Sequence, residues 1–458
     1  MLILWWLGCA STEAPDETGD PGNGTTYDTT DPCDAGDGEV WVLPGSELLN
    51  GEITREDALF VLDRGAVEEP QRLNIGRQLR PLGDLDGDGL LELAVEWVGE
   101  VAVLSGAALA SGTASLDAPL ASFDDGYVTG LGTVGDLDDD GLAELVVVQS
   151  TASYTGSTVV LASSTLAGGG AIGVADAFVE LVDAASEGID TLRPDAGDLD
   201  GDGREDLVLL ATLPEGSTPD SDDPVYRRFD LWLAADLAAG GARTAGEASA
   251  QIQESAELEL HHDRQGLLGD VDGDGADELL VGRYVFSGAS GALEEGDAWS
   301  SPGPDAPERA PLAWLDVDGD GVSELLVQDV GWVGGGSGSL TVDVVSGASW
   351  TDGHGLGTVL SSSGHDLQHS VVAAGRVEDL DGDEVDEVWA LVGYGASTSP
   401  PEVRLWSGAS LAGGWDLAAP AGRVVVNDCG LDIQVASVGD LDGDGLSELA
   451  VSLPANEL

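Results

Sequence analysis

Asp440-Leu-Asp-Gly-Asp-Gly-Leu-Ser-Glu448 has acidic residues at its positions 1, 3, 5 and 9 and glycine at position 6. The same nine-residue pattern begins at six earlier residues, at intervals of 52, 62, 72, 46, 63 and 61 residues, the last leading to Asp440: Asp84, Asp136, Asp198, Asp270, Asp316 and Asp379. The copy at Asp379 departs from the pattern, because Glu384 occupies the position where the other six have glycine. A recurring unit of this length indicates a repeat architecture.

Short apolar segments flank every acidic stretch. Thr133-Val-Gly135 precedes the second copy and Leu145-Val-Val-Val148 follows it, while an alternating segment that ends in Ser-Gly-Ala comes later in several units, as at residues 101–107 and 342–348. These segments are short, rich in β-branched residues and bounded by glycine, which is typical of strands. Each unit is therefore predicted to be a small antiparallel sheet whose first hairpin carries the acidic stretch.

Seven sheets of this size predict an all-β, seven-bladed β-propeller over residues 39–458. After the seventh acidic stretch only residues 449–458 remain, which is enough for one strand. Residues 39–46 match the alternating segment that follows the other acidic stretches. The ring is therefore expected to close by pairing this N-terminal strand with the last blade, which removes free sheet edges.

Calcium is a hard cation that takes six to eight oxygen ligands. Carboxylates at positions 1, 3, 5 and 9 and a main-chain carbonyl at position 7 can surround one ion, and glycine at position 6 permits the positive φ of a tight reversal. This loop is shorter than the twelve-residue EF-hand loop. We predict up to seven calcium sites, of which the Glu384 copy is the weakest, formed by Asp84, Asp86, Asp88, Leu90 and Glu92; Asp136, Asp138, Asp140, Leu142 and Glu144; Asp198, Asp200, Asp202, Arg204 and Asp206; Asp270, Asp272, Asp274, Ala276 and Glu278; Asp316, Asp318, Asp320, Val322 and Glu324; Asp379, Asp381, Asp383, Val385 and Glu387; and Asp440, Asp442, Asp444, Leu446 and Glu448.

The acidic stretches, such as Gly-Asp-Leu-Asp-Gly-Asp-Gly at 439–445, resemble the FG-GAP repeats of the integrin α-subunit propeller and its bacterial relatives. The resemblance covers residues 39–458. It implies that each acidic loop joins the two inner strands of a blade and binds calcium, and that the protein adheres to a ligand on the opposite face. Aromatic residues in the inter-strand connections of that face are candidate contacts for a protein or glycan, with a role as loop anchors as the alternative: Tyr154, Tyr226, Trp332 and Tyr394.

The charge balance limits the partners. The chain has 86 acidic residues and 16 basic ones, and its formal net charge is −70. Nucleic acids and anionic membrane surfaces would repel such a chain. A hydrophobic fraction of 42% argues against disorder throughout, so the acids have to be explained within a folded protein.

The N-terminal residues indicate export. Residues 1–9 form an apolar run that ends at Cys9 and resemble the end of a bacterial lipoprotein signal peptide, with Cys9 as the lipidated residue; a fortuitous apolar terminus is the alternative. Residues 10–38 are acidic and nearly free of apolar side chains, as expected of a disordered tether. Cys33 and Cys429 are predicted to form a disulfide, with two free thiols as the alternative. The protein is expected in the cell envelope or secreted, touching membrane only through its lipid.

Catalytic motifs are missing from the sequence. It has no His-Glu-x-x-His, no Gly-x-Ser-x-Gly and no phosphate-binding Gly-x-x-x-x-Gly-Lys, and it has no lysine. We therefore expect a binding or adhesion module and no enzyme. Two alternatives stay open: a secreted hydrolase or lyase that attacks polysaccharide with a pair of its many carboxylates, and a structural protein of the cell envelope.

Overall fold

Short β-strands form most of the structure, which is a computed structural model. It describes residues 39–63, 75–97, 99–150, 156–182, 194–213, 226–253, 265–281, 284–287, 298–300, 309–316, 322–331, 339–346, 359–366, 369–377, 379–383, 385–394, 402–412, 416, 419–426 and 433–453. In these ranges the strands are β1 (Glu39–Leu43), β2 (Gly51–Ile53), β3 (Phe60–Asp63), β4 (Ile75–Pro81), β5 (Leu93–Trp97), β6 (Glu100–Leu104), β7 (Ala121–Phe123), β8 (Tyr127–Val134), β9 (Glu144–Ser150), β10 (Gly156–Leu161), β11 (Gly170–Ile172), β12 (Val179–Val182), β13 (Asp195–Gly197), β14 (Asp206–Leu213), β15 (Tyr226–Trp232), β16 (Gly241–Thr244), β17 (Ala250–Gln253), β18 (Gln265–Leu267), β19 (Leu279–Val281), β20 (Tyr284–Phe286), β21 (Ala298–Ser300), β22 (Arg309–Leu315), β23 (Glu324–Gly331), β24 (Ser339–Val345), β25 (Val359–Asp366), β26 (His369–Val377), β27 (Glu387–Tyr394), β28 (Glu402–Trp406), β29 (Gly422–Val425), β30 (Gln434–Ser437) and β31 (Leu449–Leu453).

Helices are few and short within the described residues. Each α-helix follows the third strand of a blade, and the 3₁₀ turns precede an outer strand. The α-helices are α1 (Gly45–Leu48), α2 (Gly106–Ala110), α3 (Ser163–Ala167), α4 (Ala234–Leu237) and α5 (Gly408–Ala412), and the 3₁₀ turns are Arg55–Asp57, Val174–Asp176 and Ala245–Glu247.

The strands form seven small sheets, which are the blades of a seven-bladed β-propeller. The first strands of successive units contact one another, for example β4 with β8 and β8 with β13, so these strands surround the propeller axis. Named from the inner strand outward, blades 1 to 7 are β4-β5-β6-β7-β11, β8-β9-β10-β12-β16, β13-β14-β15-β17, β18-β19-β20-β21, β22-β23-β24-β25, β26-β27-β28-β29-β2 and β30-β31-β1-β3. The predicted fold class is confirmed.

Both ends of the described chain contribute to blade 7. Strand β1 lies antiparallel to β31, with Glu39 opposite Leu453 and Trp41 opposite Val451. On its other side β1 pairs with β3. The predicted closure of the ring by an N-terminal strand is therefore confirmed.

Seven hydrophobic clusters hold the ring together, one between each pair of adjacent blades. Strand β1 shows how they form, because successive side chains of a strand point to opposite faces. Val40 and Val42 pack toward blade 1, whereas Trp41 and Leu43 pack toward blade 6. Both faces of a blade are thus buried, which explains the continuous apolar runs of the sequence. Each fully buried valine or leucine contributes about 1.5–3 kcal/mol.

Three blades gain an extra outer strand from the following blade. Strand β2, which belongs to the chain of blade 7, pairs in parallel with β29 of blade 6. In the same way β11 from blade 2 pairs with β7 of blade 1, and β16 from blade 3 pairs with β12 of blade 2. These pairings cover outer edges that would otherwise present unpaired main-chain groups.

Candidate metal centres

The acidic stretches form seven loops, which we number after their blades: loops 1 to 7 are residues 84–92, 136–144, 198–206, 270–278, 316–324, 379–387 and 440–448. Each loop joins the first two strands of its blade, as β4 and β5 are joined by loop 1. Because every loop follows the inner strand of its blade, the described parts of the loops lie on one face of the propeller. We call it the loop face.

The loops bring predicted ligands together. In loop 2, carboxylate oxygens of the acidic residues at positions 1, 3, 5 and 9 lie within 4.8 Å of one another, and loop 6 repeats this arrangement. Three carboxylates meet in the same way in loops 1, 3 and 4. The residues are Asp136, Asp138, Asp140 and Glu144; Asp379, Asp381, Asp383 and Glu387; Asp84, Asp86 and Asp88; Asp198, Asp200 and Asp206; and Asp270, Asp272 and Glu278.

Hydrogen bonds inside each loop explain this convergence. In loop 1 the position-1 carboxylate accepts from three main-chain N–H groups: Asp84 Oδ1 from Gly87 at 2.7 Å and Asp88 at 3.0 Å, and Oδ2 from Gly89 at 2.8 Å. The position-5 carboxylate accepts from the N–H of position 7, with 2.9 Å between Asp88 Oδ1 and Leu90 N. The position-7 bond recurs at Leu142, Arg204, Ala276, Val385 and Leu446.

Two loop positions require a left-handed backbone. Position 6 has φ of 91° at Gly89 and at Gly141, as the sequence predicts. Position 4 also has positive φ, with 80° at Gly87, and this requirement was not recognised in the sequence. The recurring glycine at position 4 was the available signal. Loop 2 has Asp139 there, with φ of 63°, a conformation that aspartate tolerates better than most residues.

The position-9 carboxylates lie beneath the loops and are almost completely buried; Glu144, Glu278 and Glu387 are each 0% exposed. One oxygen accepts from the position-2 N–H, with 2.8 Å between Leu137 N and Glu144 Oε2. In loops 1, 3 and 7 the other oxygen accepts from the main-chain N–H of the first residue of the helix in the same blade. The distances are 3.3, 2.7 and 3.4 Å from the nitrogens of Gly106, Ala234 and Gly45, respectively.

In loops 2, 4 and 6 this second oxygen has no hydrogen-bond partner among the described residues. The atoms are Oε1 of Glu144, Glu278 and Glu387. An ionised oxygen that is buried without a partner is costly, because it has lost water and gained no donor. A cation among the loop carboxylates would compensate each of them, so these residues fit a metal ion.

Burial raises the pKa of the position-9 groups of loops 2, 3, 4 and 6 well above their ordinary values. Loss of water raises the pKa of Glu144 and Asp206 to about 7 and that of Glu278 and Glu387 to about 8. The main-chain N–H donors oppose this shift, whereas the negative charges of the other loop carboxylates increase it. A divalent cation would reverse the shift, because it stabilises the ionised form.

Some predicted ligands are placed only in part. Loop 5 has Asp316, Val322 and the buried Glu324 at its described ends, whereas Asp318 and Asp320 lie outside the described residues. Glu384 of loop 6 also lies outside them. Loop 7 forms the same turn as loop 1: Asp440 Oδ1 accepts from Gly443 N at 2.6 Å, and Asp442 and Asp444 accept from the N–H groups two residues further along, Asp444 and Leu446. Glu448 is buried below this turn.

Two of the remaining candidate residues lie within the described ranges. Tyr226 begins β15 and Tyr394 ends β27, at the end of their blades opposite the loop face. Outside the described residues lie Cys9, Cys33, Tyr154, Trp332 and Cys429. None of the described helices has both the length and the apolar character needed to cross a membrane.

Comparisons with known proteins assign the chain to no family. No family model and no curated protein matches the sequence, whereas 47 chains of solved structures match. One is a crystal structure of BBS1N in complex with ARL6DN, soaked with lead; it is 12% identical, covers 70% of this chain and 77% of that chain, and has a TM-score of 0.38. Another is the V. cholerae biofilm matrix protein Bap1, which is 21% identical with a TM-score of 0.29; the match covers 64% of this chain and 39% of that chain. The class of the protein is therefore defined by its own structure, a seven-bladed β-propeller with acidic loops on one face.

Proposed function

We propose that the protein is a calcium-binding β-propeller in which the acidic loops hold structural calcium ions. The observation that carries this proposal is the pairing of converging loop carboxylates with the buried, unpartnered Oε1 atoms of Glu144, Glu278 and Glu387. A divalent cation between the carboxylates would offset the cost of burying these ionised oxygens, which an empty site does not.

The donor chemistry favours calcium over other metals. Every predicted ligand atom is an oxygen, and each loop supplies four carboxylates on a short, flexible turn. Zinc prefers nitrogen and sulfur, and magnesium usually keeps several waters and takes only one or two carboxylates. Calcium accepts many carboxylates in irregular geometry. The ion would neutralise the loop and fix the hairpin between the two inner strands of its blade.

We further propose that the propeller is a recognition or adhesion module outside the cytoplasm. Rigid blades would present variable connections, on the face opposite the loop face, to a protein or glycan. Support comes from the resemblance to FG-GAP repeats, from the lipoprotein-like residues around Cys9 and from the acidic surface, which suits solvent and salt rather than nucleic acid. The calcium concentration outside cells matches the affinity of extracellular calcium modules, which is about 10⁻⁴–10⁻³ M.

Calcium binding is tested by thermal unfolding and metal analysis of the full chain. After exhaustive chelation, adding calcium is expected to raise the melting temperature and to restore six or seven ions per chain by elemental analysis. Magnesium at the same concentration should stabilise less. A melting temperature that is identical in chelator and in calcium would overturn the proposal.

The recognition role has its own test. An array of glycans and polysaccharides, together with a surface-protein panel, is probed with calcium-loaded protein, and the solution is assayed for cleavage products. Saturable binding without products is expected. Catalytic release of shortened glycans would replace this proposal with the polysaccharide-acting enzyme.

A further inference from the structure

Adjacent acidic loops are joined by hydrogen bonds that use a residue outside the predicted ligand set. At the boundary between blades 3 and 4, Asp277 N donates to the carbonyl oxygen of Asp198 at 2.6 Å, and Asp198 N donates to Asp277 Oδ2 at 2.9 Å. Asp277 is position 8 of loop 4, and Asp198 is position 1 of loop 3. Between blades 4 and 5, Ser323 N donates to the Asp270 carbonyl at 2.9 Å. Position 8 of one loop thus holds the first predicted ligand of the preceding loop.

A second contact joins position 7 of a loop to position 4 of the preceding one. Val322 of loop 5 lies against Gly273 of loop 4, and Leu446 of loop 7 lies against Gly382 of loop 6. Between loops 2 and 3 the pair is charged, because the Arg204 guanidinium donates to Asp139 Oδ1. Asp139 is the one residue at position 4 that is not glycine, and Arg204 is the one charged residue at position 7. The two exceptions to the repeat therefore contact each other.

Through these contacts, a loop that becomes ordered also restrains the neighbouring loop. A metal ion that fixes Glu278 also restrains Asp277, the preceding residue in the chain. Asp277 in turn holds both main-chain groups of Asp198. Ordering loop 4 therefore removes part of the conformational entropy that loop 3 must lose when it binds an ion. A second ligand binds more tightly when the first has already ordered its site.

We infer that neighbouring acidic loops bind calcium with positive coupling, and that Asp277 is the positioning residue that transmits it between loops 3 and 4. The inference rests on the proposed calcium function. It concerns the coupling between sites and not calcium binding itself. Different results would therefore contradict the inference and the proposed function.

Electrostatic effects have to be separated from this coupling. A calcium ion in loop 4 reduces the negative charge that attracts an ion to loop 3, which is an opposing, anticooperative effect. A variant of loop 4 that binds no calcium but has the net charge of the calcium-bound loop removes this electrostatic effect. We call such a loop silenced. Replacing two carboxylates of loop 4 by amides, as in Asp272→Asn/Asp274→Asn, abolishes its binding and removes two negative charges, which equals the charge of one bound Ca²⁺.

The experiment is a calcium titration of the full chain followed by hydrogen exchange and mass spectrometry, which gives a calcium midpoint for the amides of each loop. Silencing loop 4 is expected to raise the midpoint of loop 3 about fivefold. Loop 7, three blades away, should shift by less than about 1.5-fold, since its neighbours are unchanged.

Three further variants test whether Asp277 transmits the coupling between loops 3 and 4. In an Asp277→Ala background, silencing loop 4 is expected to shift the loop 3 midpoint by less than about twofold, because the side-chain acceptor of the Asp198 N–H is gone and only the main-chain bond to the Asp198 carbonyl remains. Asp277→Asn keeps an acceptor oxygen and should preserve the shift. Glu205→Ala removes a carboxylate at the same position of loop 3, where no side-chain hydrogen bond is described to loop 2, and should also preserve the shift between loops 3 and 4.

Each outcome is decisive. Calcium-dependent protection together with an unmoved or lowered loop 3 midpoint after silencing would overturn the coupling and leave calcium binding standing. A fivefold shift that persists undiminished in Asp277→Ala would remove the Asp277 side chain from the mechanism. Absence of calcium-dependent protection in every loop would overturn the proposed function itself.

Discussion

The two oxygens of a position-9 carboxylate have different roles. One stabilises the turn, and the other is proposed to contact a bound ion. In loop 2, Glu144 Oε2 accepts a hydrogen bond from Leu137 N, while Oε1 is buried without a described partner. The first oxygen favours the turn in any state of the protein. The second is unfavourable when ionised in the metal-free protein and favourable beside a cation. The sign of its contribution should therefore depend on calcium.

Glu144→Gln is expected to stabilise the calcium-free protein at pH 8 and to reduce the additional stabilisation that calcium provides. In chelator the neutral amide removes a buried charge and should raise the free energy of unfolding by about 1–3 kcal/mol. In millimolar calcium the loss of one ligand should weaken loop 2 at least tenfold, which removes about 1.4 kcal/mol of stabilisation. Denaturant unfolding measures both. The exposed Glu52→Gln is the control and should change neither. An increase in unfolding free energy on adding calcium that is as large as in the native protein would contradict this assignment.

Glycine at position 6 is required by its backbone conformation and not by space. A Cβ would meet no atom within 4 Å at Gly141, where φ is 91°, nor at Gly246, where φ is not positive. Gly141→Ala is expected to cost about 1–2 kcal/mol of unfolding free energy, whereas Gly246→Ala should be neutral or stabilising by about 0.4–1 kcal/mol. Equal effects in calcium-free denaturation would show that φ is not the cause.

At this scale the sequence predicts what depends on residue type and spacing. The order of carboxylates in Asp136, Asp138, Asp140 and Glu144 suffices to predict that they converge, because a nine-residue turn with a central glycine returns on itself. The left-handed conformation at position 4 was missed, since Asp139 breaks the glycine pattern and a single substitution hides the requirement. The contact between Asp139 and Arg204 depends on the spacing of blades, which no local pattern contains.

At the scale of elements, the first hairpin of each blade joins two strands by a turn whose carboxylates repel one another. In blade 4, β18 and β19 pair through residues 265–267 and 279–281, and loop 4 between them concentrates acidic groups above the buried Glu278. Pairing and packing hold the hairpin in place while the charges oppose the turn. The balance between these effects should shift with pH.

Metal-free protein is expected to lose stability as the pH rises from about 5.5 to 8.5. The pKa values of Glu144 and Asp206 are about 7 and those of Glu278 and Glu387 about 8 in the folded chain, against ordinary values of 4.5 for glutamate and 3.8 for aspartate. In this window the folded state holds more protons than the unfolded state, so deprotonation favours unfolding.

Calorimetry in chelator across this pH range measures the effect as a falling melting temperature. In saturating calcium the fall should disappear, because the ion replaces the protons and binds more strongly as they leave. A melting temperature that rises with pH in chelator would contradict the prediction.

The short strands that pair with a neighbouring blade cannot be predicted from local sequence patterns. Strand β2 is only three residues long, and two of them, Gly51 and Glu52, are exposed. Its partner β29 lies at the other end of the sequence, at Gly422–Val425. The strands of the inner hairpins were predictable from their apolar runs, whereas a short polar strand that pairs with a different blade leaves no periodic signal.

For the whole molecule, closure depends on one seam between strands that are far apart in sequence. The four main strands of each other blade come from one contiguous stretch, but blade 7 needs β1 and β3 to complete a sheet begun by β30 and β31. The side chains of β1 also complete the clusters on both sides of that blade. Folding of the ring therefore has to wait for a contact of very high sequence separation, which slows folding.

A circular permutant should relieve this requirement. Glu39 lies opposite Leu453, so a two-residue Asn-Gly turn can join β31 directly to β1 as a hairpin. With new ends in the segment 214–225, between β14 and β15, we expect the permutant to keep the melting temperature within a few degrees and to refold faster. Stopped-flow refolding measures the rate. The control places the same Asn-Gly dipeptide at 214–225 in the unpermuted chain. Slower refolding than this control would contradict a rate set by the seam.

The geometry of the seam also decides how the molecule would respond to a pulling force. Because β1 and β31 are antiparallel, with Glu39 beside Leu453, tension applied between these two residues would open the main-chain hydrogen bonds one after another, as a zip opens. Parallel strands pulled from opposite ends would have to break theirs together. A propeller held by one terminus and loaded through the other would therefore yield first at blade 7, at low force, while the remaining six blades stay folded.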